Sequence, residues 1–310
     1  MTRLLASVAG LEEARLALAG GADIVDFKDP RRGALGALPV AVVAECVAAL
    51  SNARETAHGW APEETSPLPW RGERGIRGAL LHARAAGRQC SAARGARSGG
   101  TGEEAVRGAS VSPLPSWERG GGEGDKFQHF SEHPRSPGVV TSATVGDLPP
   151  DPATLAAAVA EMASTGVSYV KIGFFSRAIP KQCLEALAPL ARRRRLVAVL
   201  FADLEPDLDA IPAIAGAGFA GAMLDTAGKD GRGLRDCMAD DDLSRFVASA
   251  RQHGLITGLA GSLKASDIPA LLPLAPDYLG FRGALCAGAS RQASMDRGAL
   301  GVVRAAIPCA

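Results

Sequence analysis

Residues 20–30 read Gly-Gly-Ala-Asp-Ile-Val-Asp-Phe-Lys-Asp-Pro, and their pattern decides the fold. The glycine pair follows an alanine-rich segment, where glycine accommodates the left-handed turn that ends a helix. The short apolar run Ile24–Lys28 then reads as a strand, bounded by Asp29 and Pro30. Side chains alternate along a strand, so Ile24, Asp26 and Lys28 share one face and Val25 and Phe27 the other. The apolar pair suits a layer of helices, which sends Asp26 and Lys28 to the opposite face. The same helix–glycine–strand passage returns in STGVSYVKI (164–172) and GAGFAGAML (216–224).

Working outward, short apolar runs alternate with amphipathic, alanine-rich segments, the signature of parallel strands joined by crossover helices. Strands are expected at Leu4–Val8, Ile24–Lys28, Val139–Thr144, Tyr169–Ile172, Leu196–Leu200, Gly221–Leu224, Ile256–Ala260 and Tyr278–Arg282. Helices are expected at Leu11–Ala19, Val40–Ser51, Pro152–Ser164, Ile179–Ala191, Leu208–Ala217, Asp240–Gln252, Ala265–Leu274 and Arg297–Ala306. Eight such units point to an α/β fold of the closed (β/α)8 TIM-barrel type rather than to an open doubly wound sheet. Gly216–Gly221 spells G-x-G-x-x-G, but it precedes a strand. A dinucleotide fingerprint has to follow one, so this segment reads as a helix terminus.

One stretch breaks the pattern. Residues 55–137 are rich in Gly, Pro, Ser and Arg and lose apolar periodicity. Within them Ser66-Pro-Leu-Pro-Trp-Arg-Gly-Glu-Arg-Gly returns as Ser112-Pro-Leu-Pro-Ser-Trp-Glu-Arg-Gly, a repeat closer to a translated mobile DNA element than to a selected module. Such a composition buries too little surface to order itself. It reads as a long, disordered, low-complexity insertion between helix 2 and strand 3, and not as a domain. The barrel is then residues 1–54 and 138–310, roughly 230 residues and within the usual range. Because the insertion joins a helix to a strand, it is expected at the mouth opposite the catalytic one.

The composition narrows the function classes. The 310 residues carry a formal net charge of +1, which gives no electrostatic reason for nucleic acid as a partner. The insertion, with eleven Lys/Arg against ten Asp/Glu, does not change this. No apolar run reaches the ~18–20 residues of a membrane span, and Glu12, Glu13 and Arg15 interrupt the N-terminal run where a signal peptide needs an apolar core. The six cysteines are scattered without a C-x-x-C pair, so reduced thiols in a cytoplasmic protein are expected. Four of the five histidines lie in the insertion. His129 and His133 have i, i+4 spacing, but Pro134 and their context argue against a metal site. His253 precedes a glycine and suits a helix C-terminus. Acid–base chemistry therefore falls to lysines and carboxylates.

Barrel strands are buried on both faces, so an ionisable residue inside one is costly unless it lies at the open, C-terminal mouth. Strand two ends with Asp26 and Lys28, strand four carries Lys171 opposite Val170 and Ile172, and strand six leads to Asp225 and then Lys229. Alternate strands contribute to common layers of the interior, so these five side chains are expected to converge. Buried ion pairs that merely hold the barrel together are the competing account, yet lysines crowded against lysines gain little stability. Crowding and desolvation both lower a lysine pKa, which releases the neutral amine that imine formation needs. Nearby carboxylates can then move protons. The loops after strands seven and eight, with Gly261, Ser262, Arg282 and Gly283, occupy the usual phosphate-binding position of such barrels. Tight turns with a surface arginine are the alternative there.

Taken together, DIVDFKDPRRGALGA (23–37), TSATVGDLP (141–149), YVKIGFF (169–175), AMLDTAGKDGRGL (222–234), GLAGSLKASDIP (258–269) and LGFRGALC (279–286) closely resemble the (5-formylfuran-3-yl)methyl phosphate synthase family. They occur in family order and span nearly all the chain outside the insertion. The resemblance implies a class I aldolase-like barrel lyase of methanofuran-type cofactor biosynthesis. Such an enzyme condenses two glyceraldehyde 3-phosphate molecules, then cyclises with loss of water and phosphate, and needs no metal or organic cofactor. It places the Schiff-base lysine at Lys28, with Asp26, Lys171, Asp225 and Lys229 sharing proton transfer and phosphate neutralisation. The insertion departs from the family pattern, and AGASRQASMD (287–296) matches it only loosely, which puts a second phosphate contact there in doubt. Three other readings stand beside this one. They are another Schiff-base aldolase acting on a phosphorylated sugar, an inactivated barrel serving as a scaffold, and a small-molecule sensor. Oligomeric state is not set by the sequence, and a homo-oligomer is left open.

Overall fold

The computed structural model describes residues 1–58, 139–228 and 231–308, the side chains of 53–58 excepted. Residues 59–137 of the expected insertion and Lys229 therefore lie outside the described residues, while 55–58, expected as the start of that insertion, are helical. Eight parallel strands close into a barrel in sequence order: β1 Arg3–Val8, β2 Ile24–Phe27, β3 Val140–Thr144, β4 Tyr169–Phe174, β5 Leu196–Phe201, β6 Gly221–Asp225, β7 Ile256–Leu259 and β8 Tyr278–Phe281. Strand β8 pairs back onto β1, with Leu4 opposite Leu279, so no edge strand remains. Among the described residues the helices are α1 Leu11–Ala19, α2 Val40–His58, α3 Pro152–Ala163, α4 Lys181–Ala191, α5 Ile211–Gly216, α6 Leu234–Cys237, α7 Asp240–Gln252, α8 Ile268–Leu271 and α9 Arg297–Ala306. None of them is long and apolar enough to cross a membrane.

Strand parity divides the core into two layers. Val25, Phe27, Val170, Ile172, Ala222 and Leu224 point outward and pack with helix residues such as Leu155, Leu187 and Phe246. Ile24, Tyr169, Val197, Val199, Met223 and Tyr278 point inward and fill the barrel. The inward layer turns polar at Ser7, Asp26, Ser142, Lys171 and Asp225, toward the C-terminal half of β1, β2, β3, β4 and β6.

Three local differences from the sequence expectations have backbone causes, and α6 is a further short helix not expected from the sequence. The segment expected as one helix over Leu208–Ala217 is a 3-10 turn, Leu208–Ala210, followed by α5, because Pro212 lacks an N–H and begins a new helix. Pro269 and Pro273 likewise divide Ala265–Leu274 into a 3-10 turn, α8 and a second 3-10 turn. Helix α2 runs on to His58, since Ala53-Arg54-Glu55 are good helix formers and no glycine intervenes before Gly59. His253 caps α7 as expected, with Nδ1 2.8 Å from the Ser249 carbonyl oxygen. Gly216–Gly221 is a helix end leading into a strand, with Gly218 at φ 88°.

The residues on either side of the insertion fall where expected. The described chain leaves off at the end of α2 and resumes just before β3.

Candidate active site

Lateral register builds the first half of the site. In the parallel sheet Ser7 of β1 and Ser142 of β3 lie opposite Asp26 of β2, and all three side chains turn inward. The Ser142 hydroxyl donates to Asp26 Oδ1 at 2.6 Å and the Ser7 hydroxyl to Oδ2 at 3.0 Å. Lys171 of β4, whose partner on β3 is Thr144, reaches across to Asp26 with Nζ 2.6 Å from Oδ1. Asp26 is fully buried and Lys171 is 2% exposed. Burial would raise the Asp26 pKa, but the Lys171 and Lys28 charges, with hydrogen bonds from Lys171 and Ser142, outweigh it and hold the carboxyl below its ordinary value.

Lys28 follows β2 directly, its N–H donating to the Val8 carbonyl at 3.0 Å, and its side chain is buried. Its Nζ lies 4.0 Å from Asp225 Oδ2 at the end of β6. Burial pushes the Lys28 amine below its ordinary pKa. The Asp225 and Asp26 charges oppose that shift, while Lys171 and Arg291 reinforce it. Four of the five residues expected to converge are therefore together: Asp26 and Lys171 as a tight pair, Lys28 and Asp225 as a looser one nearer the mouth. Below Lys171 the barrel holds a cavity of only ≈ 20 Å³, lined by Leu5, Ile24, Tyr169, Val197, Ile256 and Tyr278 among others. That is room for about one water, so any larger molecule meets Lys28 from the mouth.

Three carboxylates missed in the sequence hold the mouth loops. Asp147, after β3, accepts from the N–H groups of Ala34 and Leu35, both at 2.7 Å, and so ties down the loop that follows Lys28. Asp203, after β5, accepts from Ala227 and Gly228 N–H on the loop that leads to Lys229. Glu13 of α1 accepts from Ala9 N–H at 2.7 Å and Met295 N–H at 3.1 Å and pairs with Arg282. A signal for the first two was present: each is an acidic residue placed just beyond an odd-numbered strand.

The loops after β7 and β8 differ from each other. Gly261 has φ 102°, and a Cβ there would meet Thr226 Cγ2 at 2.9 Å, so only glycine suits this position. Its carbonyl accepts from Leu234 N–H at 2.9 Å, which joins the loop to that of Asp225. Ser262 is exposed and held at φ 47°, a left-handed conformation that costs a non-glycine residue about 1 kcal/mol or more and tends to persist at ligand sites. Arg282, by contrast, is buried beneath the β8 loop. Its guanidinium donates to Glu13, to the Ser7 carbonyl at 3.1 Å, to the Arg291 carbonyl at 2.9 Å and to the Ala293 carbonyl at 3.0 Å. Gly283 lies under the same loop, where a Cβ would meet the Ala289 carbonyl oxygen at 3.0 Å.

A closed parallel barrel with one lysine–aspartate pair inside it and a second at its C-terminal mouth defines a TIM-barrel protein with its polar centre toward the mouth such barrels use for chemistry. Solved structures agree on the fold. A 3-hexulose-6-phosphate synthase superposes with a TM-score of 0.51 at 11% identity, covering 99% of this chain and 100% of its own. A phosphoribosyl anthranilate isomerase from Thermus thermophilus gives 0.50 at 12%, covering 98% of each chain. The chain belongs to the 4-HFC-P synthase family, an enzyme family whose model matches residues 4–64 and 128–304. The (5-formylfuran-3-yl)methyl phosphate synthase of Methanocaldococcus jannaschii is 29% identical, over 93% of this chain and 92% of its own. That of Methanopyrus kandleri is 37% identical, over 51% and 70%. A Methylorubrum extorquens protein given the same name provisionally is 35% identical, over 95% and 86%.

Proposed function

We propose that this chain is a Schiff-base lyase that condenses two molecules of glyceraldehyde 3-phosphate into (5-formylfuran-3-yl)methyl phosphate, with Lys28 as the nucleophile. The observation that carries the proposal is a buried amine of lowered proton affinity at the mouth, 4.0 Å from a carboxylate. The neutral Lys28 amine attacks the aldehyde carbon, and water leaves as the imine forms. The protonated imine withdraws electrons from the neighbouring carbon, whose proton a base removes. The resulting enamine attacks the second aldehyde. Ring closure and elimination expel phosphate and water, and a water then hydrolyses the remaining imine to free the aldehyde and the Lys28 amine, so that the net loss from two substrates is one phosphate and two waters.

The distances support one division of the proton-transfer roles. Asp225 is the carboxylate in reach of the Lys28 amine and serves as acid and base there. Asp26, occupied by Lys171 and two hydroxyls, holds the Lys171 side chain in place beside the Lys28 site. Lys229, which lies outside the described residues, is assigned a share in proton transfer and phosphate neutralisation by the family resemblance alone. Gly261, Ser262 and Gly283 supply the backbone of the phosphate-binding loops. The arrangement needs no cofactor for these steps.

Borohydride reduction of the protein with glyceraldehyde 3-phosphate, followed by peptide mass mapping, tests the proposal. A reduced adduct on the Lys28 peptide is expected. Folded protein that gives no adduct would overturn the Schiff-base reading. An adduct without a furan product would leave a general aldolase on another phosphorylated sugar.

The pH dependence of trapping supplies a second, signed prediction. Imine formation should rise with pH through the lowered Lys28 pKa and then level off, because only the neutral amine attacks. Asp225 raises that pKa, so Asp225→Asn should move the acid limb to lower pH. Arg291 lowers it, so Arg291→Gln should move the limb to higher pH. Limbs unmoved in both variants would show that another group titrates.

A further inference from the structure

A phosphorylated aldehyde held at Lys28 brings a dianion that a cation would stabilise beyond the loop backbone, and Arg282 has no hydrogen-bond donor left to offer. A guanidinium has five N–H donors. Those of Arg282 make five hydrogen bonds within the protein, two to Glu13 and one each to the carbonyls of Ser7, Arg291 and Ala293. Glu13 also accepts from Met295 N–H. Alternate residues 291, 293 and 295 of the β8 loop are thus fastened to one buried ion pair, and the missing Cβ of Gly283 lets the loop fold back close above it.

The loop so fastened presents Arg291. Its Nη2 donates across the mouth to the Gly33 carbonyl at 3.0 Å, in the loop that starts at Lys28. Among the described residues no carboxylate pairs with Arg291, and the Gly33 carbonyl is the acceptor its guanidinium has. The side chain is half-buried, and its charge is felt at Lys28. An arginine with its backbone clamped, one guanidinium nitrogen anchored and its remaining donors unspent is arranged for a planar, bidentate hold on an anion.

We propose that Arg291 binds the phosphate of the substrate whose carbonyl meets Lys28, bridging the β8 loop and the Lys28 loop around it. The inference rests on the reading of the Lys28 site as one for a phosphorylated aldehyde, and it assigns the phosphate contact to the stretch where the family resemblance is loosest.

Calorimetric titration with glycerol 3-phosphate tests it, since this ligand has the phosphate but no carbonyl and forms no imine. The full chain is expected to bind it. Arg291→Gln should weaken binding by about 10- to 100-fold, the range of a charge-assisted hydrogen-bonded contact. Arg291→Lys, which keeps the charge but loses the fork, should fall between and serves if the glutamine variant does not fold. In turnover, the same variants should raise KM for glyceraldehyde 3-phosphate more than they lower kcat. Equal affinity of wild type and variants for glycerol 3-phosphate overturns the inference, as does absence of binding to the wild type. Arg291-dependent binding without any borohydride-trapped imine would uphold the anion site and overturn the Schiff-base reading alone. A trapped imine with Arg291-independent binding would do the reverse.

Discussion

Lys28→Ala is expected to lower furan formation by on the order of 10⁴-fold or more, because a nucleophile that forms a covalent intermediate has no substitute in the site. The fold should survive. Lys28 contributes one long ion pair to the protein at 4.0 Å, and alanine removes a desolvated amine whose burial is itself unfavourable. The melting temperature should therefore stay within a few degrees of wild type, roughly the change expected from about 1 kcal/mol in a barrel of this size. Steady-state assay of the conjugated furan aldehyde, with thermal melts on the same preparations, checks both halves. A variant that is folded and retains a tenth of the activity would remove Lys28 from the covalent role. The alternative of an inactivated scaffold predicts instead that wild type and Lys28→Ala are equally inert.

Lys171→Met is expected to cost about 3–5 kcal/mol of stability as well as activity, because it leaves the Asp26 carboxylate buried without its cation. Two hydroxyls still donate to Asp26, but they do not neutralise it. Burial, no longer opposed by the Lys171 charge, should raise the Asp26 pKa toward protonation, so the loss of stability should shrink as pH falls. The double variant Asp26→Ser/Lys171→Met removes both charges and should recover most of the stability. Denaturant titrations of both single variants, the double variant and the wild type give the coupling directly. A stable but inactive double variant would establish that the pair works in the reaction. A stable and active one would reduce it to a barrel-filling ion pair. Additive losses in the four proteins would contradict the 2.6 Å contact as an energetic unit.

The barrel was legible because its determinants are local and repeated. Alternation in Asp23–Asp29 and its recurrence at Lys171 and Asp225 placed charged residues on inward faces without any coordinates, and Val25, Phe27, Val170 and Ile172 do pack against the helices. The limits of the helices were less legible where proline decided them, as at Pro212 and Pro269, since proline both starts and stops a helix depending on position. Lys229 and residues 59–137 of the insertion carry sequence expectations outside the described residues.

Pattern along the chain thus settled the fold class, the mouth that carries the charges and four of the residues that meet there, because strand parity and strand-end position follow from covalent geometry and periodicity. Partnership was decided only by tertiary structure. Nothing local tells that Arg282 spends its donors on Glu13, some 269 positions away, and on three carbonyls, while Arg291 donates to the Gly33 carbonyl. Nor does spacing show that Asp147 and Asp203 fasten the loops of neighbouring strands. Hydrogen bonds and ion pairs depend on distances of a few ångströms between groups remote in sequence. Those distances exist only once the eight strands have closed in register.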